Sequence, residues 1–281
     1  MTHQISLRDR ALAFRSLHVP GRPLVLPNAW DAMSARLAED AGAAAVATTS
    51  AGLSWALGAA DGDRLDRDRA LQAVARVAET VRVPVSADIE TGYADDPEGV
   101  ADTVRAVLAA GAVGVNIEDA LYEEGRAPLR EVAEQAERIA AAREAADAEG
   151  VPLFVNARID TFLRGGGDSG DMDATLERAA AFRAAGADGI FVPGAVEPGT
   201  VKALVEGVDG PLNVLVGPGA PPVAELAALG VARVSAGSAV AQAAYAVARR
   251  AARELLGAGT CEALAGGLDY GELNALLARE R

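Results

Sequence analysis

Eight short apolar runs of β type, each followed by a stretch of helical spacing, restrict the fold of this chain more than any other feature. The runs are PLVLPNA (23–29), AAVATT (44–49), PVSADIE (84–90), VGVNIED (113–119), PLFVNARID (152–160), GIFVPG (189–194), LNVLVG (212–217) and ARVSAG (232–237). Segments such as DRALQAVARVAETV (68–81) and PEGVADTVRAVLAAG (97–111) lie between them. Gly42, Gly111, Gly186 and Gly230 recur just before strands, where a left-handed residue ends a helix and turns the chain. Strands this continuously apolar are buried on both faces, hence parallel and covered by helices. Eight such units predict an α/β fold, a closed (β/α)8 TIM barrel with its active site at the C-terminal strand ends. The rival doubly wound sheet lacks a GxGxxG after the first strand. No linker divides the chain, so a single domain is expected over 1–281, with an N-terminal helix and a helical tail over 239–281.

Composition then removes chemistry. The 281 residues include 26 basic and 40 acidic side chains, two histidines and one cysteine, with a net charge of −14. That balance argues against nucleic acid and anionic membranes as partners. Cys261 alone excludes a disulfide framework, and it is expected as a small buried or half-buried residue. No apolar run is long enough to span a bilayer and no leader pattern opens the chain, so a cytoplasmic protein is expected. His3 and His18 precede the first strand, which disfavours a histidine dyad or histidine metal site in the core. Lys202, the only lysine, falls in a surface-patterned helix, leaving no buried amine for a Schiff base. Carboxylates, arginine, hydroxyls, backbone amides and a hard metal ion remain.

The strand ends carry those groups. Asp88 and Glu90 in SADIET are two apart and so share a face of an ideal strand. In NIED, Glu118 shares a side with Asn116, opposite Asp119; in NARID, Asn156, Arg158 and Asp160 share one parity. Carboxylates from adjacent strands facing one mouth repel unless a cation sits among them. Oxygen ligands without histidine suit Mg²⁺ or Mn²⁺. The plainer alternative is that these acids pair with arginines or sit at exposed loop starts. Asp61 in ALGAADGD adds a fourth acid, although Asp-Gly is a common turn. Arg158 has the planar fork to clamp a substrate carboxylate. TTSAGLS (48–54) offers hydroxyls and amides for an anion, or is simply a loop. GGGDSGD (165–171) reads as a loop, and GPGAPP and SAGS sit where many barrels bind phosphate, here without lysine. Trp30 and Trp55 read as packing residues near the mouth.

Taken in order, PNAWDAMSARLAEDAG, TTSAGLSWALGAADGD, SADIETGY, VNIED and NARID resemble the isocitrate lyase / phosphoenolpyruvate mutase superfamily, over residues 20–250. The resemblance implies a (β/α)8 barrel whose eighth helix, here the long C-terminal one, is exchanged between subunits of a homotetramer. It implies Asp88 as the direct Mg²⁺ ligand, with Asp61, Glu90 and Glu118 holding the ion through water. Arg158 then binds the substrate's anionic group, the amides of Ala51 and Gly52 take its carboxylate, and Asn156 is a further substrate-binding candidate. Asp61 and Glu118 join Arg158 as catalytic candidates, and Tyr93 or water reprotonates an enolate, although Tyr93 reads equally well as packing. The chain departs from the family's specialised branches. LYEEGRAPL (121–129) carries no loop cysteine, Glu124 stands near a mutase lysine, and Pro193 stands where a mutase histidine would be.

The expected activity is a Mg²⁺-dependent carbon–carbon lyase acting on a small 2-oxo or hydroxy di- or tricarboxylate through a pyruvate-type enolate, with oxaloacetate-type decarboxylation as the specific reading. Decarboxylation needs an electron sink but no strong base, whereas retro-aldol cleavage must remove a hydroxyl proton. The alternatives are a methylisocitrate-type lyase using Glu124 or Tyr122, phosphorus–carbon chemistry, and a non-catalytic metabolite-binding protein.

Overall fold

The computed structural model describes residues 6–122, 128–164 and 171–278. Nine strands form one parallel sheet: β1 (Leu24–Leu26), β2 (Asn28–Ala29), β3 (Val46–Thr48), β4 (Val85–Asp88), β5 (Gly114–Glu118), β6 (Phe154–Arg158), β7 (Gly189–Val192), β8 (Leu212–Leu215) and β9 (Arg233–Ser235). β1 pairs with β9 and β2 with β3, so the ends of the sheet meet. Pro27, which has no N–H for a ladder, separates β1 from β2. Residues 24–29 therefore act as one stave bonded on one side at its start and on the other at its end. The expected eight-stave barrel is present, with its first stave split in two.

The four interstrand glycines adopt φ of +95°, +89°, +105° and +99° at Gly42, Gly111, Gly186 and Gly230. Side chains of one parity, including Val115, Val155, Ile190 and Val234, are buried in the main apolar core. The opposite parity faces the barrel axis and is polar: Ser86, Asn116, Asn156, Asn213 and Arg233 are all buried. Phe14 and His18, at the end of the helix Leu7–Ser16 and just beyond it, meet Phe154 at the start of β6. The His18 ring stacks on Phe154 at 3.7 Å and lies edge-on to Phe14 at 4.8 Å. Gly114 lets this plug enter, because a Cβ there would lie 2.6 Å from Phe14 and 2.9 Å from the Ser86 hydroxyl.

The helix Ala239–Gly257 buries only Ala241 and Ala251, while Val240, Tyr245, Val247, Leu255 and Leu256 are exposed. Beyond it, the helix Tyr270–Ala278 docks back, burying Leu276, whose carbonyl accepts from Arg36 Nε at 2.9 Å. Cys261 is exposed, against the expectation of a packed residue, because it lies in the connection between these helices rather than under either. Lys202 lies exposed on the helix Pro198–Gly207, 3.9 Å from Glu206, as its pattern predicts. No helix among the described residues is long and apolar enough to cross a membrane. His3, Glu124 and residues 165–170 lie outside the described residues.

Candidate active site

A cavity of about 250 Å³ opens at the C-terminal strand ends, with Asp61, Asp88 and Asn116 on one side and Arg158 and Phe191 on another. Asp88 ends β4 and is held on three sides. Its N–H donates to Thr48 Oγ1 at 2.9 Å, its Oδ2 accepts from the Ser50 N–H at 2.9 Å, and its Oδ1 accepts from Asn116 Nδ2 at 3.2 Å. Asn156 donates to Asn116 at 2.9 Å, so it positions the residue that holds Asp88 and does not itself line the cavity. Asp61 stands at the exposed rim, where desolvation and the charge of Asp88 push its carboxyl up.

Arg158 is less free than the strand pattern suggests. Its Nε and Nη2 donate to Asp160 at 2.6 and 2.9 Å, and Nη1 lies 2.5 Å from Glu118 Oε2. Asp160 also meets Arg164 at 3.2 Å, and its N–H donates to Asp119, which pairs with Arg178 at 3.1 Å. Two of the five guanidinium N–H groups donate to Asp160 and Nη1 is drawn into the ion pair with Glu118, leaving one edge for a ligand. Glu118 is completely buried; burial pushes its carboxyl up while Arg158 pulls against the shift. The Tyr122 hydroxyl donates to the same carboxylate, and Arg164 lies over the Tyr122 ring.

Two expectations change because the strands end early. Glu90 has φ of +51°, so strand alternation stops at Asp88 and Glu90 does not follow it into the cavity. Its carboxylate accepts instead from the Asp63 N–H and from Tyr93 Oη, the latter at 3.3 Å. Tyr93, also at φ +51°, packs beside the core and lines a neighbouring hollow with Asp63 and Tyr122. The structure does not bring Tyr93 to the cavity of Asp88. Burial, with Asp63, Asp88 and Asp61 nearby, moves the Glu90 carboxyl up to about 8 despite the Asp63 N–H. The unfolded chain sheds that proton near 4.5, so stability falls as pH rises between 4.5 and 8. Glu90→Gln is expected to flatten that part of the Tm-against-pH profile in EDTA; an identical slope in the variant would contradict this.

Ala51 lines the cavity, in the first turn of the helix Ser50–Ala56, where N–H groups have no preceding helical acceptor. Gly52 is needed beside it: a Cβ there would lie 2.7 Å from Thr49 and 2.8 Å from Trp30. Gly237 and Ser238 also line the cavity, but the N–H groups of Ala236 and Gly237 donate to Asn28 Oδ1, each at 2.9 Å. Those amides are spent on closing the barrel. Trp55 is partly exposed and meets Tyr245 edge-on at 6.2 Å. Asn28 and Arg233 were not singled out from the sequence, and Thr48 entered only as one of the hydroxyls of TTSAGLS. Arg233 left a signal, a charge inside an otherwise apolar strand.

Among the described residues, no three or more His, Cys, Asp or Glu side chains are arranged to hold a metal ion by themselves. The donor set still fits a hard cation held by one carboxylate and completed by water. Asp88 accepts a single hydrogen bond on each oxygen, and neither it nor Asp61 has a salt-bridge partner among the described residues.

A profile of the phosphoenolpyruvate phosphomutase family matches residues 14–256. The chain belongs to this family, within the phosphoenolpyruvate mutase / isocitrate lyase superfamily. An uncharacterized Mycobacterium tuberculosis protein is 39% identical over 267 residues, covering 95% of this chain and 96% of that one. A solved Burkholderia cenocepacia protein, assigned only as far as lyase or mutase, is 41% identical with a TM-score of 0.88, covering 97% and 96%. An oxaloacetate decarboxylase of Pseudomonas aeruginosa is 31% identical, covering 82% and 79%. A phosphonopyruvate hydrolase solved with oxalate and Mg²⁺ is 27% identical with a TM-score of 0.80, covering 95% and 94%. The family therefore spans several reactions on one barrel, and the side chains around the cavity must decide among them.

Proposed function

We propose that this family member cleaves a carbon–carbon bond in a small 2-oxo dicarboxylate, with oxaloacetate-type decarboxylation as the reaction. The supporting observation is the pairing of Asp88 with Arg158 across one cavity whose described lining contains no lysine, cysteine or histidine. Asp88 would hold Mg²⁺ or Mn²⁺ directly, with Asp61 and Glu118 acting through water. When bound, the ion supplies an electron sink for the substrate's 2-oxo group. The first-turn amides of Ala51 and Gly52 would bind the adjoining carboxylate. The free edge of Arg158 donates to the oxygen on which negative charge develops, and Glu118 and Asp160 keep that edge aimed. Loss of CO₂ breaks the C3–C4 bond and leaves its electron pair on the enolate of pyruvate; water then delivers a proton to C3.

One observation favours a second reading. Tyr122 bonded to Glu118 beside the cavity forms a hydroxyl–carboxylate couple that could relay a proton in retro-aldol cleavage. The two readings separate in a pyruvate-release assay with Mg²⁺, run on oxaloacetate, 2-methylisocitrate, isocitrate and phosphonopyruvate beside EDTA and metal-only blanks. Enzyme-dependent pyruvate from oxaloacetate, with Tyr122→Phe retaining most activity, is expected. Pyruvate from 2-methylisocitrate, abolished in Tyr122→Phe, would replace decarboxylation with lyase chemistry.

The exposed stripe on the helix Ala239–Gly257 supports exchange of that helix between subunits of a homotetramer. Leu256, 89% exposed, has no apolar cover in the single chain. Light scattering is expected to give four chains for wild type and fewer for Leu255→Glu/Leu256→Glu. A monomeric wild type would contradict the assembly.

A further inference from the structure

The barrel floor beneath Asp88 holds a cation that the reaction above does not use. Arg233 opens β9 in register with Asn213 on β8, and it shares the inward parity of Ser235. It is 3% exposed, yet it lines the cavity. Its Nε and Nη1 have no hydrogen-bond partner, and no carboxylate among the described residues lies within salt-bridge distance. Two neighbours facing the barrel axis are equally unspent. Asn213 Nδ2 and Ser86 Oγ lack partners, although Asn213 Oδ1 accepts from Ser235 at 3.0 Å.

Arg158 is clasped by two acids, and Arg138, whose Nε and Nη1 also lack partners, still donates through Nη2 to the carbonyls of Thr91 and Ala94 at 2.7 Å each; for Arg233 no hydrogen bond or ion pair is found among the described residues. Below Arg233 lies His18, whose Nδ1 meets the Phe14 carbonyl at 3.0 Å. Burial and the charge of Arg233 take His18 down to about 3, so the ring below Arg233 is neutral. Among the described residues, Asp88 above is the acid whose charge favours the Arg233 cation; burial still draws the guanidinium down to about 9. Buried donors of Arg233 and Ser86 in one cavity lining, with no acceptor within hydrogen-bond distance, point to an anionic ligand that completes them.

We propose that Arg233, with Ser86 beside it in the lining and Asn213 behind it, forms a second anion-recognition point on the cavity floor that takes the distal carboxylate of a dicarboxylate held at its other end near Arg158. The assignment rests on reading the cavity as an oxo-acid site, and it makes Arg233 the residue that selects dicarboxylates over monocarboxylates. Ordered water alone would fill the same donors without requiring a buried charge.

The test is calorimetric titration of the full chain with DL-malate and DL-lactate, which share a 2-hydroxycarboxylate and differ by the distal carboxylate, in MgCl₂ and again in EDTA. Thermal melts accompany each variant. Arg233→Met is expected to weaken malate at least tenfold, to change lactate less than twofold, and to leave Tm unchanged or higher, because an uncompensated buried charge is gone. Ser86→Ala, which keeps the charge, is expected to weaken malate about threefold with lactate unmoved. Should Arg233→Met fail to fold, the malate-to-lactate ratio is read on Arg233→Lys, which loses the planar fork and is expected to lower it. Unchanged malate affinity, or equal losses for both acids, would overturn the proposal and make Arg233 a structural or general electrostatic group. Wild type binding neither acid would instead overturn the oxo-acid reading, which keeps the two failures distinct.

Discussion

Arg158→Met is expected to lower stability by about 3 kcal/mol and to reduce kcat at least a hundredfold. The stability loss follows from what the guanidinium holds apart. Glu118 and Asp160 are both fully buried, and Arg158 contacts both. Without it, two buried carboxylates are left with Arg164 beside Asp160 and only the neutral Tyr122 hydroxyl beside Glu118 among the described contacts. Glu118 takes up a proton more readily than an ordinary glutamate, which limits the damage. Glu118→Gln on the Arg158→Met background is therefore expected to restore part of the Tm and none of the activity. Arg158→Lys keeps the charge but cannot make three directed contacts to two acids, so it should raise KM and lower kcat together. Chemical denaturation and steady-state kinetics read both effects. An Arg158→Met protein with wild-type stability would show that the buried acids are neutral at rest.

Asp88→Asn is expected to abolish metal-dependent turnover, by a thousandfold or more, with the barrel intact. The substitution is nearly isosteric. The carboxamide oxygen can still accept from the Ser50 N–H or Asn116, whereas the anionic donor is lost. Stability should change by less than about 1 kcal/mol, since no salt bridge is broken. Retained turnover with Mg²⁺ present would move the metal position elsewhere.

The barrel was legible because its signals are local: apolar runs of strand length, and glycines where helices must reverse. Asp88, Glu118 and Arg158 were legible as the polar ends of those runs. Glu90 was not, because parity arguments assume the strand continues, and the left-handed turn at Glu90 sends its carboxylate to Asp63 and Tyr93. Asp160, read from the sequence only as sharing the parity of Arg158, lies past the end of β6 and accepts from that guanidinium, which is the arginine pairing that the plainer alternative expects of a strand-end acid. SAGS looked like an anion-binding turn because the amide acceptor, Asn28, lies 208 residues away in the chain. Arg233 was visible as a charge in ARVSAG, but only the fold shows that it points inward without a partner.

The central claim is that Asp88 anchors a divalent cation facing Arg158. Electron paramagnetic resonance of Mn²⁺ titrated into the purified chain tests it directly. One bound ion per chain is predicted for wild type, displaced by excess Mg²⁺ and perturbed by added oxalate, with no binding at that affinity in Asp88→Asn. Equal Mn²⁺ binding by wild type and Asp88→Asn, or none by either, would contradict the account.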